Sequence, residues 1–254
     1  MTSQSQNIQN LFDNATAEGL SQAATEVLVN NLNGTNIAGA TGATVDELAG
    51  DQVTLFVEVL DATGSMTDNR DAVIEAYNKQ LQALKDSKAA DSILMSTWTF
   101  NETSTLSHGY LTLDKVPKLG RGSYDPQSNT ALFDAILDAF TGAVAYGQSL
   151  RDAGINVKTV IVVVTDGDDN CSKASAAKVK TVAKELLNQE YTLAFVAFGM
   201  NGKSVAAKIG FPAANVLDET SDPSGWRRAL GTVSKSVIRA SQTMIGKTGS
   251  QSFF

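Results

Sequence analysis

The feature that most constrains the fold is an alternation, from residue 53 onward, of short apolar runs with longer amphipathic stretches. Strands of a parallel sheet are buried on both faces and are therefore apolar throughout, whereas the helices that connect them carry apolar residues at helical spacing. The alternation predicts an α/β fold with a doubly wound, mostly parallel central sheet and helices on both faces.

The positions of the runs divide the chain into predicted elements. Strands are predicted over residues 53–60, 92–100, 103–112, 157–165, 192–198 and 216–217, and helices over residues 66–85, 172–188 and 203–209 and from about residues 130 and 223. Only the short turn Asn101-Glu102 separates the second strand from the third, which predicts a hairpin with one antiparallel strand at the sheet edge. A long loop with several Gly and Pro residues precedes residue 130, and such loops are usually functional.

The first fifty residues differ from the rest, because Asn, Gln, Ser, Thr, Ala and Gly dominate them. A weak helical pattern runs from Ile8 to Leu32, and residues 34–42 are expected to form a flexible or turn-rich linker. An ordinary docking extension is the favoured interpretation, and a partner-binding role is the alternative. The expected parts are an N-terminal extension with a helix and a linker over residues 1–50, a main domain over residues 51–245 and a frayed C-terminal tail over residues 246–254.

Charge and the few Cys and His residues exclude several classes of partner and site. With 27 acidic and 20 basic residues the net charge is -7, whereas a nucleic-acid binder needs a basic face. Cys171 and His108 are the only residues of their kinds, which excludes an internal disulfide and a zinc site of Cys and His ligands. The most apolar stretch, residues 160–164, is far too short to cross a bilayer, which takes roughly 20 apolar residues. We expect neither nucleic acid nor a membrane as partner.

Polar side chains follow the first predicted strand at the point where it gives way to a helix. Asp61, Thr63 and Ser65 occupy alternate positions there, and alternate residues of an extended or turning chain can project to one side. Gly64, between them, has no side chain to crowd the site. Three oxygen ligands can therefore converge at this turn.

A second set of carboxylates, beginning with Asp166, follows the predicted strand over residues 157–165. Parallel strands end at the same edge of a sheet, and ligands of open α/β sheets bind outside that edge. Without a cation, Asp61 and Asp166 would repel each other, which would raise the pKa of one carboxyl or loosen the loops. Mg²⁺ suits a site that supplies hydroxyls directly and carboxylates partly through water, with Mn²⁺ or Ca²⁺ as alternatives.

Neutral hydroxyl ligands leave such a cation incompletely neutralised and with an open coordination position. An Asp or Glu side chain of another protein would complete its shell, so binding would depend on the cation. The site residues thus predict a cation-dependent protein–protein interaction.

Three motifs, in this order along the chain, resemble those of a known family. Asp61-x-Thr63-x-Ser65 is similar to the Asp-x-Ser-x-Ser motif of the von Willebrand factor A and integrin inserted domains, whose site is called a metal-ion-dependent adhesion site. The segment Thr-Ala-Leu-Phe-Asp-Ala from Thr130 is similar to the family's Thr-x-Leu-x-Asp-Ala. The Thr-Asp-Gly of residues 165–167 is similar to its Thr/Ser-Asp-Gly. The resemblance covers roughly residues 53–240.

The resemblance implies a Rossmann-like fold, a non-catalytic interaction module and a set of metal ligands. By this resemblance Thr63, Ser65 and Thr130 coordinate the metal directly, whereas Asp61 and Asp166 act mostly through water. Two positions depart from the family pattern. The first Ser of the motif is Thr63, which keeps a hydroxyl, and the Gly-Gly often found before the threonine is replaced by Ser-Asn at residues 128–129.

The resemblance also bears on partner and location. Intracellular bacterial relatives often act as adaptors beside AAA+ ATPases, so the expected partner is such an ATPase or another assembly component that presents an Asp or Glu. The first residues, Met-Thr-Ser-Gln-Ser-Gln-Asn, have neither the basic nor the apolar region of a secretory signal. The expected location is therefore the cytoplasm.

Helix capping is the alternative interpretation of several of these polar residues. Asp61 and Ser65 could cap the helix that follows them, and Thr130 could cap the next one. Residues 168–169, both Asp, are interpreted as a solvated cluster at a helix start rather than as ligands. Cys171 lacks a Cys or His partner, so we interpret it as incidental.

Two other functions compete with adhesion. The Asp-Gly-Asp of residues 166–168 also resembles the aspartyl-phosphate motif of haloacid-dehalogenase phosphatases, although that family usually opens with this motif. The other alternative is a structural or assembly protein with a vestigial site, in which the N-terminal segment does the docking. Neither a Walker loop nor a Gly-x-Gly-x-x-Gly fingerprint follows a strand, so nucleotide binding lacks support.

Overall fold

One sheet of six strands organises the chain. The computed structural model describes residues 6, 8–10, 12–13, 16, 19–189, 191–243 and 252–254. The strands are β1 (Gln52–Asp61), β2 (Ile93–Phe100), β3 (Ser104–Thr112), β4 (Asn156–Thr165), β5 (Tyr191–Phe198) and β6 (Val216–Glu219). The α-helices are α1 (Gln22–Asn30), α2 (Gly34–Gly39), α3 (Arg70–Lys85), α4 (Leu132–Asp152), α5 (Ala176–Leu187), α6 (Gly202–Ile209) and α7 (Pro223–Gln242). None of the described helices is long and apolar enough to cross a membrane.

The strand order is β3-β2-β1-β4-β5-β6. β1 pairs in parallel with β2 and β4, and β5 and β6 continue the parallel pairing. β3 is antiparallel to β2, as expected of the predicted hairpin. Because the chain builds outward in both directions from the β1–β4 pair, this pair is the topological switch point of the sheet. The predicted fold class, a doubly wound and mostly parallel sheet with one antiparallel edge strand, is confirmed.

Apolar side chains form two core layers, one on each face of the sheet. Leu55 and Val57 of β1 face the layer that contains side chains of α1, α4, α5 and α6. Phe56 and Leu60 face the layer that contains side chains of α3 and α7. Successive side chains of a strand point to opposite faces, so covering both faces requires strands that are apolar throughout.

The N-terminal extension packs on the first of these layers, where Leu28 of α1 is fully buried. Residues 34–42, expected to form a linker, instead contain α2, whose first amides bond to the side chain of Asn33. Gly39 of α2 lies so close to Trp98 that a Cβ atom added to it would come within 2.2 Å of the indole ring. The expectation of a linker was wrong here because a short, glycine-bounded helix has no repeated apolar residues that would reveal it.

Part of the C-terminal tail also packs against the domain. Phe253 is 5% exposed, and its amide donates a hydrogen bond to Oδ1 of Asn215 at 3.0 Å. The guanidinium of Arg239 in α7 donates to the carbonyl oxygen of Phe253. The expected frayed tail is therefore wrong for residues 252–254, because an aromatic side chain gains free energy by leaving water. Residues 246–251 lie outside the described residues.

The helix expected over residues 66–85 starts instead with a 3₁₀ segment, Gly64–Asn69, and α3 begins after it. The amide of Gly64 donates to the carbonyl oxygen of Ser128 at 3.0 Å. The amide of Gln127 donates to the carbonyl oxygen of Ala62 at 2.9 Å. These bonds tie the segment to the loop before α4. A regular α-helix therefore begins only beyond it.

Candidate metal site

Asp61, the last residue of β1, is fully buried and held at both carboxylate oxygens. Its Oδ1 accepts the amide of Thr63 at 2.8 Å, and its Oδ2 accepts the hydroxyl of Thr165 at 2.5 Å. The hydroxyl of Tyr124 donates to the backbone carbonyl of Asp61 at 2.7 Å. The carboxylate is thus fixed in orientation at the end of the strand.

A line of oxygen atoms leads from this buried carboxylate toward solvent. The hydroxyls of Thr63 and Ser65 lie 3.0 Å apart. The hydroxyl of Ser65 donates to Oδ1 of Asp166 at 2.6 Å. Thr63 is buried, Asp166 is half-buried and Ser65 is exposed, so one side of this group is open to a partner. The β1 and β4 ends therefore meet as the parallel sheet predicts.

Thr130 lies beside the same group of oxygens without a hydrogen bond to it among the described contacts. A Cβ atom added to Gly167 would lie 3.9 Å from Oγ1 of Thr130, so this hydroxyl faces the turn after Asp166. The backbone of Thr130 is held by Asn170, whose side chain accepts the Thr130 amide at 2.8 Å and whose amide donates to the Thr130 carbonyl at 3.0 Å. The two loops are therefore locked together next to the site.

The departure from the family's Gly-Gly has a visible effect on the loop before Thr130. Ser128 has a φ of 70°, and it is the only non-glycine residue with positive φ in the described part of the chain. Side chains are strained in this left-handed region, which glycine adopts freely. The hydroxyl of Ser128 and the side-chain amide of Asn129, the latter at 3.1 Å, both donate to Oε1 of Glu102. Glu102 thus holds the loop in the conformation that glycine would adopt without strain.

The electrostatics of the site are unfavourable for two charged carboxylates. The pKa of Asp61 is raised to about 6, mainly by burial and to a smaller extent by the nearby charge of Asp166, while hydrogen bonds from Thr165 and Thr63 oppose the rise. Burial also raises the pKa of Asp166, against the hydrogen bond from Ser65. A divalent cation among these groups would remove the repulsion and favour the charged forms of both carboxyls.

The donor set fits a hard cation. No group of three or more His, Cys, Asp and Glu side chains able to hold a metal occurs among the described residues, so a site here has to include hydroxyl ligands. Two carboxylates and three hydroxyls offer only oxygen, which Mg²⁺ and similar ions prefer. The five residues singled out in the sequence, Asp61, Thr63, Ser65, Thr130 and Asp166, all lie at this edge of the sheet.

Helix capping does not account for these side chains. Thr63 precedes the 3₁₀ segment, and no side-chain capping bond is present there. Ala131, not Thr130, precedes α4. The amides of Phe133 and Asp134 in α4 instead donate to the hydroxyl of Ser172, at 3.0 and 3.2 Å.

The carboxylates after Asp166 make other contacts. Asp168 forms an ion pair with Lys208 at 2.8 Å. Asp169 accepts the hydroxyl of Ser172 and the amide of Phe133, the latter at 3.3 Å. These contacts support leaving both residues out of the site, as the sequence interpretation did.

Three residues that support the site were not singled out as site residues from the sequence. Thr165 was visible in the Thr-Asp-Gly motif, but only as its first letter. Tyr124 bonds to Asp61, which is 63 positions away in the sequence, and Asn170 bonds to Thr130, which is 40 positions away. No local pattern marks such long-range contacts, so only the fold reveals them.

Comparison with known proteins gives a family match and a set of similar folds. Residues 57–222 match the von Willebrand factor type A domain. No match was found among curated protein sequences. Similar solved structures include proximal thread matrix protein 1 from the mussel byssus with a zinc-occupied MIDAS motif (16% identity, TM-score 0.51, 74% of this chain and 46% of that one). They also include the PilB minor pilin from Streptococcus sanguinis (12%, 0.53, 76% and 63%) and the vWF domain of the type V pili tip protein Mfa5 from Porphyromonas gingivalis (8%, 0.56, 77% and 98%).

Identities this low show a shared fold, and the chain spans less than half the length of the mussel protein. The neighbours nevertheless contradict the predicted cytoplasmic location, because a byssus thread and bacterial pili lie outside the cell. The mussel protein also corrects the argument about zinc. Zinc occupies the MIDAS motif of that protein, so few Cys and His residues do not exclude zinc from a site of this type.

Proposed function

Because the chain belongs to the von Willebrand factor type A domain family, whose domains mediate protein–protein interactions, we propose that it binds a carboxylate of a partner protein through a divalent cation. The observation that carries this proposal is the line of oxygen atoms from Thr63 through Ser65 to Asp166, which is open to solvent on one side. Such a group is suited to an ion that must keep one coordination position for a ligand from outside.

The roles of the residues follow from their placement. Thr63, Ser65 and Thr130 would hold the ion directly through their hydroxyls, and Asp61 and Asp166 would balance its charge, mostly through water. When bound, the cation supplies the positive charge that attracts the partner's carboxylate. The buried hydrogen bonds of Asp61 keep that side chain in one orientation, so the site needs little rearrangement on binding.

Among cations, we propose Mg²⁺ as the resident ion, with Mn²⁺ as the nearest alternative. Ca²⁺ takes 6–8 oxygen ligands, often including bidentate carboxylates, and the two carboxylates here are engaged by neighbouring donors. Zinc favours nitrogen and sulfur ligands, although it occupies the corresponding motif of the mussel protein. An oxygen-only donor set supports the smaller hard ions.

The partner that we propose is a protein subunit of an extracellular assembly. The compared proteins are a thread matrix protein, a minor pilin and a pilus tip protein. The AAA+ ATPase suggested by intracellular relatives has no support among them. We propose an adaptor role only in the sense of a domain that links one protein to another.

A non-catalytic role is favoured over the phosphatase alternative. A phosphatase of that type needs Asp166 as a free nucleophile and Asp168 as a general acid. Asp166 instead accepts a hydrogen bond from Ser65, and Asp168 is paired with Lys208. The contacts of both residues therefore support adhesion rather than turnover.

The first test is a direct titration of the full chain with Mg²⁺ by calorimetry, comparing the wild type with Ser65→Ala. Ser65 is exposed, so its removal should leave the fold intact while weakening Mg²⁺ binding by about tenfold or more. Thr67→Ala, in the same 3₁₀ segment, is the matched control and should bind Mg²⁺ like the wild type. Equal Mg²⁺ affinity in all three proteins would contradict the proposed ligand set.

The second test is capture of partners from an extracellular fraction of the source, with Mg²⁺, with EDTA and with Ser65→Ala. A partner that is retained only by the wild type with Mg²⁺ supports cation-dependent adhesion. A partner that is retained equally in all three conditions supports the alternative of an assembly protein with a vestigial site.

A further inference from the structure

A groove of about 990 Å³ opens beside the proposed metal site. It is lined by α1 and the start of α2, by the turn between β2 and β3, by the first turns of α4, and by α5 with the segment that precedes it. Its volume lies at the upper end of the range of about 300–1,000 Å³ that is usual for ligand sites. The groove is therefore large enough to take several residues of another chain.

One end of the groove adjoins the site directly. Glu102 lines this end and accepts a hydrogen bond from Asn129, the residue before Thr130. Cys171 lines it too, and its amide donates to the carbonyl of Thr130 at 3.2 Å. A partner segment whose carboxylate binds at Thr130 would therefore continue into this groove within a few residues.

Residues outside the matched family domain build one wall, and this wall is firmly attached. Asp138 of α4 is 7% exposed and accepts the side-chain amides of Asn31 and Asn33, both at 2.9 Å. Asn36, 1% exposed, donates to the same carboxylate at 3.3 Å and to the carbonyl of Asn31 at 2.7 Å. The groove is therefore a preformed feature that the extension adds to the domain.

Charges along the groove are unbalanced toward the negative. Glu26, Glu102, Asp134 and Asp138 line it, against two lysines, Lys173 and Lys178. The donors to Asp134 are backbone amides, so no cation neutralises its charge there. Asp138 contributes less to the negative charge, because it is buried and burial raises its pKa. Glu102 likewise accepts from a hydroxyl and an amide.

The half-buried side chains of Val27 and Leu32 add apolar surface to the groove. The groove thus offers apolar contact together with a negative field.

We propose that this groove holds the stretch of the partner chain that adjoins its metal-bound carboxylate, and that it selects partners with a Lys or Arg close to that carboxylate. The inference rests on the proposed function, since the carboxylate brings the segment to the groove. An acidic residue at the same place in the partner would meet Glu26 or Glu102, and like charges in an interface are strongly unfavourable. Specificity would thus come from the N-terminal extension, and cation dependence from the domain.

The test uses three labelled peptides, Gly-Lys-Gly-Asp-Gly-Lys-Gly, its version with Glu in place of both lysines, and its version with Asn in place of Asp. Fluorescence anisotropy measures their binding to the full chain with Mg²⁺ or EDTA. We expect the lysine peptide to bind about tenfold more tightly than the glutamate peptide, and the Asn peptide to lose Mg²⁺-dependent binding.

Two substitutions away from the metal site test the groove itself. Ala23→Trp places a large side chain in the groove from an exposed position of α1 and should weaken binding of the lysine peptide by about fivefold or more. Glu26→Gln should reduce the preference for lysine over glutamate by about fivefold. Ala207→Trp and Glu75→Gln, exposed on other helices, are the matched controls and should change neither value.

The outcomes separate the two proposals. If the lysine peptide needs both Mg²⁺ and its Asp, but neither groove variant alters its binding, the metal site stands and the groove inference is wrong. If all three peptides bind alike with Mg²⁺ and with EDTA, the proposed function fails and the groove inference fails with it.

Discussion

At the scale of single residues, Glu58 is the most unusual group outside the metal site. It lies in the middle of β1, between Thr97 of β2 and Val162 of β4, and is fully buried. Burial raises its pKa to about 8, and Gln80 of α3 lowers it only partly. Neither carboxyl oxygen has a hydrogen bond of normal geometry within the described residues. The raised pKa favours the protonated form of Glu58 in the folded chain at neutral pH.

The raised pKa of Glu58 predicts that the chain becomes less stable as the pH rises. The pKa is higher in the folded chain than in the unfolded chain, so folding takes up a proton between these two values. The free energy of unfolding should therefore fall between about pH 4.5 and pH 8. Glu58→Gln removes this dependence. The free energy of unfolding of the variant, relative to that of the wild type, should therefore increase by roughly 3–5 kcal/mol as the pH rises across the window. Urea unfolding at several pH values measures it.

The matched control for this experiment is Glu75→Gln. Glu75 lies on the surface of α3, and its pKa is lowered by Lys79, so the folded carboxyl is already charged throughout this window. The stability difference between this variant and the wild type should change little between about pH 5 and pH 8, because this carboxyl is charged in both the folded and the unfolded chain there. A similarly constant difference for Glu58→Gln would show that Glu58 does not take up a proton on folding.

The left-handed backbone of Ser128 predicts that glycine is more stabilising than alanine at this position, which is the reverse of the usual order. Both Ser128→Gly and Ser128→Ala lose the bond to Glu102, but only Ala keeps the Cβ atom that strains a φ of 70°. Ser128→Gly should therefore be more stable than Ser128→Ala by about 1 kcal/mol in urea unfolding. At Ser204, inside α6, the order should be the usual one, with Ala more stable than Gly by about 1 kcal/mol. The same order at both positions would contradict the argument from strain.

At the scale of elements, α2 shows how the extension is attached to the domain. Gly39 lies against the ring of Trp98, and a Cβ atom on Gly142 of α4 would meet the carbonyl of Gly39 at 3.0 Å. Two helices and a strand thus approach each other through glycine. These close approaches leave no space for an added methyl group at Gly39.

Gly39→Ala should therefore destabilise the chain, even though alanine favours helices. The new Cβ atom would overlap the indole of Trp98, and overpacking of this kind costs typically about 1–3 kcal/mol. Gly34→Ala, in the same helix, meets nothing within 4 Å and should be neutral or slightly stabilising. Urea unfolding of the two variants compares them. A destabilisation of equal size at both positions would rule out the contact with Trp98 as the cause.

The elements of the sheet could be predicted from the sequence, whereas the additions to it could not. β1 and β4 are continuous apolar runs, and burial on both faces explains why these runs were recognisable. α2 and the 3₁₀ segment Gly64–Asn69 depend on one-to-one contacts with Trp98 and with the loop at Ser128. Contacts of this kind leave no periodic pattern in a sequence.

At the scale of the whole molecule, the location of the candidate site could be predicted from the sequence, but the hydrogen bonds that fix its loops could not. Asp61 and Asp166 could be placed together because both follow strands that end at one edge of a parallel sheet. The hydrogen bonds between Glu102 and Ser128 and between Asn170 and Thr130 could not be predicted. They depend on loop conformations that only the folded chain defines. The metal-binding role of these residues stays a prediction for the titration described above.

The two ends of the chain pack on opposite faces of the sheet. Leu20 and Leu28 belong to one core layer, and Phe253 belongs to the other. The main domain is thus held from both sides by segments at its ends. The composition of the first segment favoured a docking extension without indicating which face of the sheet it covers. The last segment was expected to be frayed, because its short length is also typical of a solvated tail.

The central position of β1 affects how the chain has to be made. β1 pairs with both β2 and β4, and the Ser65–Asp166 contact joins residues 101 positions apart. At a synthesis rate of roughly 5–20 residues per second, one edge of β1 stays unpaired on the ribosome for about 5–20 seconds before β4 has been made. During that interval an apolar strand with a free edge is a site for aggregation. The cation cannot shorten this interval, since its proposed ligands come together only when β4 has paired.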